Sequence, residues 1–209
     1  MPPSDDPIEY NAADQSAAFS AICDDLVAQS YSVQNNALPE ALIKLLSDRV
    51  HIGEGPHFKP AGIGRKSDHH KNQNIRRDQI AWIDDEMLTD QKWNEWTVAL
   101  QMALNKELFL GLTSFESHYA CYEKGGFYKK HVDAFSGANN RKISIVLFLN
   151  DHWVVADEGE LRLFVGQECD TQILVSPKLG TLVIFMSDVV PHEVLKTNCT
   201  RYSIAGWYR

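Results

Sequence analysis

The stretch Thr181-Leu-Val-Ile-Phe-Met-Ser-Asp-Val-Val-Pro191, with His192 directly after it, decides how the second half of this chain reads. Its apolar run is too short for an ordinary helix, is rich in β-branched residues and closes on a polar turn and a proline, so it predicts a buried strand. The same texture extends outward. Ser117–Tyr122, Lys142–Leu149, Glu160–Phe164, Gln172–Val175 and Tyr202–Tyr208 either alternate or run apolar. Turn signals separate most of them: Gly125-Gly126, Gly137-Ala-Asn-Asn140 and Ser176-Pro-Lys-Leu-Gly180. Many short strands with turn residues between them predict a sandwich or barrel.

Upstream of Gly111 the period changes. Phe19, Ile22, Cys23, Leu26 and Val27 recur at the spacing of one helix face, which predicts a helix from Asp14 to Ala28. Tyr31-Ser-Val33 reads as a short extended segment. Pro39 sits where a first-turn proline belongs, ahead of Leu42, Ile43, Leu45 and Leu46. A third helix is predicted from Gln91 to Leu108, with Trp93, Trp96, Leu100 and Leu104 facing inward. Helices first and strands later predict an α+β protein in which residues 1–110 brace a β core formed by residues 111–209, as one integrated domain. Between Gly53 and Asp78 the chain is irregular and carries the basic run Arg65-Lys-Ser-Asp-His-His-Lys71. A long loop inside a compact domain is often functional.

Composition narrows the class. Hydrophobic residues make up 44% and charged residues 23%, ordinary for a globular domain. Twenty Lys and Arg against 28 Asp and Glu give a formal charge of −8, which argues against broad binding of nucleic acid. The four cysteines, Cys23, Cys121, Cys169 and Cys199, form no CxxC pair and read as reduced thiols. The opening Met1-Pro-Pro-Ser-Asp-Asp6 has no apolar run behind it, and no stretch approaches a membrane span, so a cytoplasmic protein with no membrane partner is expected.

Of the eight histidines, His131 stands apart because His131-Val-Asp133 is an HxD triplet on or beside a strand. Residues i and i+2 of a strand share a face, so both side chains can hold one metal. A lone HxD is a weak signal. His192, arriving from another strand after a turn, completes two histidines and a carboxylate, the facial triad of non-haem Fe(II) oxygenases. Such a triad leaves coordination positions open for a bidentate co-substrate and O2. Arg201 then opens the last strand after the turn Lys196-Thr-Asn-Cys199 and can point inward. A buried guanidinium needs an anion, and its fork matches a carboxylate. The distal carboxylate of 2-oxoglutarate is one such anion; a structural Asp or Glu is the other.

At this point the sequence resembles the Fe(II)/2-oxoglutarate-dependent prolyl 4-hydroxylases, the branch related to the animal enzymes that hydroxylate hypoxia-inducible factor. The resemblance runs from about Arg65 to Tyr208. It is carried by Ala120-Cys-Tyr122, by Tyr128 ahead of His131-Val-Asp133, and by Leu149-Asn150 with Trp153. Gly159-Glu-Leu-Arg-Leu-Phe164, Pro191-His-Glu-Val194 and Thr200-Arg-Tyr-Ser-Ile204 with Trp207-Tyr208 continue it, and Ile75-Arg-Arg-Asp78 with Ile80 and Trp82-Ile83 match upstream. It implies a double-stranded β-helix, or jelly roll, braced by helices. It implies Fe(II) on His131, Asp133 and His192, with Arg201 anchoring 2-oxoglutarate, Tyr122 helping to hold it and Trp207 walling the pocket. O2 is then the second co-substrate and ascorbate a reductant. The reaction implied is hydroxylation at C4 of a prolyl residue in a protein. Residues 64–77 would be a substrate loop with Arg76 and Asp78 pairing at its base.

The resemblance also has departures. The animal enzymes place a second co-substrate tyrosine where this chain has Phe148; Ser203 offers a hydroxyl instead. The short chain looks bacterial, and for bacterial members elongation factor Tu is an expected protein substrate, with an oxygen-sensing role beside it. A hydroxylase of a free amino acid or other small metabolite would use the same triad, and a non-catalytic metal-binding barrel shares the fold.

Overall fold

The computed structural model describes residues 12–35, 37–53, 55–62, 74–134 and 141–209. The first half runs α1 (Ala12–Gln29), β1 (Tyr31–Gln34), α2 (Glu40–His51), β2 (Lys59–Pro60), β3 (Gln79–Trp82) and α3 (Leu88–Leu108). Then come β4 (Phe115–Tyr122), β5 (Tyr128–His131), β6 (Ile143–Phe148), β7 (Leu161–Val165), β8 (Thr171–Val175), β9 (Leu182–Met186), β10 (His192–Val194) and β11 (Arg201–Tyr208). They form a seven-stranded sheet ordered β1-β9-β6-β11-β4-β3-β2 and a four-stranded sheet ordered β5-β10-β7-β8. Every strand pairing is antiparallel. This is the predicted jelly-roll core braced by helices, built as two facing sheets.

Strand parity divides the core. On the large sheet, Ile143, Ile145, Leu147, Ile184, Ile204 and Tyr208 face the helices and pack with Trp93, Trp96, Leu100 and Leu104 of α3. Alternate residues, among them Ala120, Tyr122, Phe148, Val183 and Phe185, face the small sheet and meet Leu161, Leu163 and Val194. Full burial of a side chain of this size stabilises by about 1.5–3 kcal/mol, so α3 and the large sheet hold each other. Polar handles fix the register. The Trp93 indole donates to Ser117 Oγ at 3.0 Å, and the Tyr208 hydroxyl donates to the Thr97 carbonyl at 2.8 Å.

Three features differ from the sequence expectation. Val27 is 75% exposed, because it stands about 80° round the helix from Phe19 and Leu26 carries the contact instead. The first half of the chain supplies β1, β2 and β3 to the large sheet as well as three helices. Strands β2, β3, β5 and β10 go beyond the predicted set, and His192, which follows strand β9 and a turn as predicted, itself opens β10. The four cysteines form no disulfide, and no described helix is long and apolar enough to cross a membrane.

Candidate active site

The register of the large sheet lays side chains in rows across its inner face. Tyr122 of β4 pairs with Arg201 of β11 at the first row. Ile80, Ala120, Ser203 and Phe148 form the second, Trp82, His118, Ala205 and Val146 the third, and Glu116, Trp207 and Ser144 the fourth. Alternation keeps these residues on one face. All but Phe148 and Ser144 line a cavity of about 500 Å³ whose opposite wall includes Tyr128, His131, Asp133, Leu161, His192 and Val194.

His131 and His192 are register partners on adjacent strands β5 and β10, with ring centroids 4.2 Å apart. Asp133, just past the end of β5, enters between them: His131 Nε2 lies 3.5 Å from Oδ1 and His192 Nε2 lies 3.6 Å from Oδ2. The backbone orients each imidazole. His131 Nδ1 donates to the Lys129 carbonyl at 2.8 Å, and His192 Nδ1 donates to the Val190 carbonyl at 3.2 Å. With Nδ1 committed, both Nε2 lone pairs are left for a metal, the arrangement ligating histidines generally show. Ser144 Oγ, itself bonded to Ser187 Oγ at 2.8 Å, donates to Asp133 Oδ2 at 2.7 Å. One ligand atom from each of the three residues falls within 4.8 Å of the others. Burial would push the Asp133 carboxyl up, but His192 and His131 facing it hold it well below the usual carboxylate range. Burial brings His192 down to about 4, so a neutral imidazole is the resting form. Two imidazoles and a carboxylate suit a divalent first-row metal.

At the first row Arg201 is 1% exposed. Its Nη1 donates to Ser203 Oγ at 3.3 Å, while Nε and Nη2 have no partner among the described residues. The guanidinium carbon stands 5.1 Å from the Tyr122 ring centre and 4.9 Å from that of Phe148. No carboxylate among the described residues forms an ion pair with Arg201, which removes the structural-carboxylate reading there. Burial pulls it down to about 10, so it stays cationic at neutral pH. A buried cation with unused donors is the signature of a missing anion. Gly159, at φ +75°, makes room here: a Cβ would lie 2.8 Å from Thr197 Cβ and 3.4 Å from Arg201 Cδ.

Each predicted site residue is therefore in one place. His131, Asp133 and His192 converge, Arg201, Ser203 and Tyr122 form the closed end, and Trp207 is a wall. Arg76 and Asp78 pair as predicted, by two parallel bonds, Nε to Oδ1 at 2.7 Å and Nη2 to Oδ2 at 2.5 Å. Residues 63–73 of the predicted substrate loop lie outside the described residues.

Sequence reasoning passed over four pocket residues. Arg141 stacks 3.5 Å over the Trp207 ring and bonds Glu116 at 3.1 Å, and Arg209 bonds the same Glu116. His118 sits edge-on to Trp82 and tilted against Trp207, with Nδ1 unpartnered. Parity on β4 was the available signal: Glu116, His118 and Ala120 share a face with Tyr122. Burial lowers His118 from 6.5 to about 4. Above pH 6.5 neither folded nor unfolded chain is protonated there, and the stability is intact. Between 6.5 and 4 only the unfolded chain takes the proton, so stability is lost as pH falls, by about 3 kcal/mol. Denaturant unfolding at pH 7 and pH 4.5 should show a larger loss for the native chain than for His118→Met; equal losses would exclude this burial cost.

Comparison with known proteins agrees with this geometry. Residues 117–209 match the 2OG-Fe(II) oxygenase superfamily. Egl nine homolog 1 of Mus musculus is 32% identical over 160 residues, 70% of this chain and 38% of that protein. The chain spans less than half the length of the curated Egl nine relatives it matches. The crystal structure of a Pseudomonas putida prolyl-4-hydroxylase superposes with a TM-score of 0.82 at 36% identity, covering 91% of this chain and 98% of that one. The chain belongs to the prolyl-hydroxylase branch of the 2OG-Fe(II) oxygenase superfamily. A Trichoplax adhaerens prolyl hydroxylase, solved with a hypoxia-inducible-factor peptide fragment, shares the fold at TM-score 0.79 and 23% identity. The Fe(II) and 2-oxoglutarate of that superfamily's name fit this site, the first at the triad and the second at the anion-seeking Arg201.

Proposed function

We propose that this chain is a prolyl 4-hydroxylase acting on a protein, with an extended prolyl segment entering the outer part of the cavity. The observation that carries the proposal is the division of that cavity. Its closed end holds a buried, unpaired Arg201, and its outer rows, with Trp82, His118, Trp207 and Arg141, are left over for a second molecule. Trp82 is 56% exposed, so this side is open enough to admit a chain rather than a small metabolite. The 36% identity to a prolyl-4-hydroxylase over nearly its whole length supports the same reading.

In this reading His131, Asp133 and His192 hold the metal, which supplies the oxidising chemistry when 2-oxoglutarate and O2 join it. Arg201 and Ser203 would hold the distal carboxylate, with Tyr122 the register partner of Arg201. Burial pushes the Tyr122 phenol up, so it stays protonated and able to donate. Phe148, Leu161 and Val194 keep water from the buried end. Trp207 and the stacked Arg141 form the wall along which the prolyl ring is presented.

Elongation factor Tu is the protein substrate we favour, in the cytoplasm, with oxygen supply setting the extent of its modification. Iron-loaded protein, 2-oxoglutarate and O2 should add 16 Da to one prolyl peptide of purified elongation factor Tu, and His131→Ala should not. Succinate release with no modified peptide would favour the free-metabolite reading instead.

A further inference from the structure

We infer that Tyr128 is a positioning residue for the metal ligand His131, and that the Arg76–Asp78 ion pair acts on metal binding through it. The inference rests on the metal triad and not on the identity of the hydroxylated substrate.

His131 is the ligand least enclosed by the protein: its side chain is 19% exposed, against 9% for Asp133 and 6% for His192. One hydrogen bond, from Nδ1 to Lys129, fixes one atom of the ring but leaves its tilt free. Tyr128 supplies the missing restraint. Its ring lies parallel to the imidazole, with centroids 3.7 Å apart and planes 17° apart. A stack this close sets the plane in which Nε2 points, and it favours the metallated imidazole, which carries partial positive charge over an electron-rich ring.

The Tyr128 ring is in turn held by Arg76, whose guanidinium carbon is 4.4 Å from its centre. Arg76 cannot swing away. Asp78, with a fully buried side chain, grips it by two bonds, and Arg76 itself is 13% exposed. The backbone ties the same pieces together, through the Arg76–Tyr128 antiparallel bridge, Lys129 N–H to the Ile75 carbonyl at 2.9 Å and Arg77 N–H to the Phe127 carbonyl at 2.8 Å. A continuous line of contact thus runs from Asp78 through Arg76 and Tyr128 to His131. Outer partners that orient a metal-bound histidine typically change affinity by about 10–100-fold.

Equilibrium Co(II) titration, followed by the ligand-field absorption of the bound ion, reads this without turnover. Tyr128→Phe keeps the ring and should bind within about twofold of the native chain. Tyr128→Leu should bind about 10-fold more weakly. Asp78→Asn, which touches no metal ligand, should weaken Co(II) by several-fold, and in the Tyr128→Leu background it should have no further effect. Native-like affinity in Tyr128→Leu would overturn the positioning role. An Asp78→Asn effect that is absent, or that persists without the ring, would overturn the relay. Should Tyr128→Leu fail to fold, Tyr128→Met, which also removes the ring, takes its place in both comparisons with the same expected and overturning results.

Discussion

Asp133→Ala is expected to abolish hydroxylation and to remove metal-dependent stabilisation of the fold. Asp133 is the hinge of the triad, since one oxygen faces each histidine and the second also accepts from Ser144. Loss of an orienting partner outside the ligand set costs about 10–100-fold in metal affinity, and loss of a charged ligand must exceed that. Metal at about 100 times its dissociation constant stabilises a fold by about 2.7 kcal/mol. The native chain should therefore melt several degrees higher with Mn(II) than without, and Asp133→Ala should melt at one temperature in both. The metal-free variant should itself fold. Ser144 and Ser187 keep each other as partners, and His192 is already neutral, so no uncompensated charge is left behind. A variant that still gains stability from Mn(II) would place the metal elsewhere.

The parts of this site that were legible in the sequence are those whose chemistry is rare and whose spacing is set by a regular element. His131 and Asp133 were legible as an HxD triplet, which gained its weight only once His192 and Arg201 joined it. Arg201 follows because an arginine opening an otherwise apolar strand has to meet an anion. The large core strands were legible because both their faces are buried and their residues say so. Strand β5 was not: Tyr128-Lys-Lys-His131 shows two charged residues to solvent, and its place comes from pairing with β10 and from the bridge to Arg76. Nor was β10, three residues long, which exists because its neighbours β5 and β7 give it hydrogen bonds on both sides. His118 was legible only through parity. As a lone imidazole it reads as an ordinary core histidine, and only the β4 register puts it on the face shared by Tyr122 and Trp207. Ser144 and Ser187 carry no sequence signal, because serines that bond a ligand carboxylate are indistinguishable in a linear chain from serines that do not.

Arg201→Met should separate function from stability in opposite directions. Arg201 is a buried cation that has, among the described residues, two unpartnered nitrogens and no carboxylate in an ion pair with it. Replacing such a charge with an apolar side chain of similar length is often neutral or stabilising by about 1–4 kcal/mol. The methionine would rest against Tyr122, Phe148 and Gly159, where the Arg201 side chain now packs. Its unfolding midpoint without ligands should therefore equal or exceed that of the native chain. Binding of 2-oxoglutarate should collapse, because removing one member of a buried charge pair costs about 2–5 kcal/mol, roughly 30-fold to several thousand-fold in affinity. Arg201→Lys should fall between, since it keeps the charge but loses the fork that matches a carboxylate. Since burial leaves Arg201 protonated up to a pH of about 10, the affinity of the native chain should not depend on this group across neutral pH. Calorimetric titration of metal-loaded protein with 2-oxoglutarate, beside denaturant unfolding of the ligand-free forms, measures both halves. If Arg201 were a structural ion-pair residue instead, Arg201→Met would unfold more easily and bind 2-oxoglutarate as before, the reverse of both expectations.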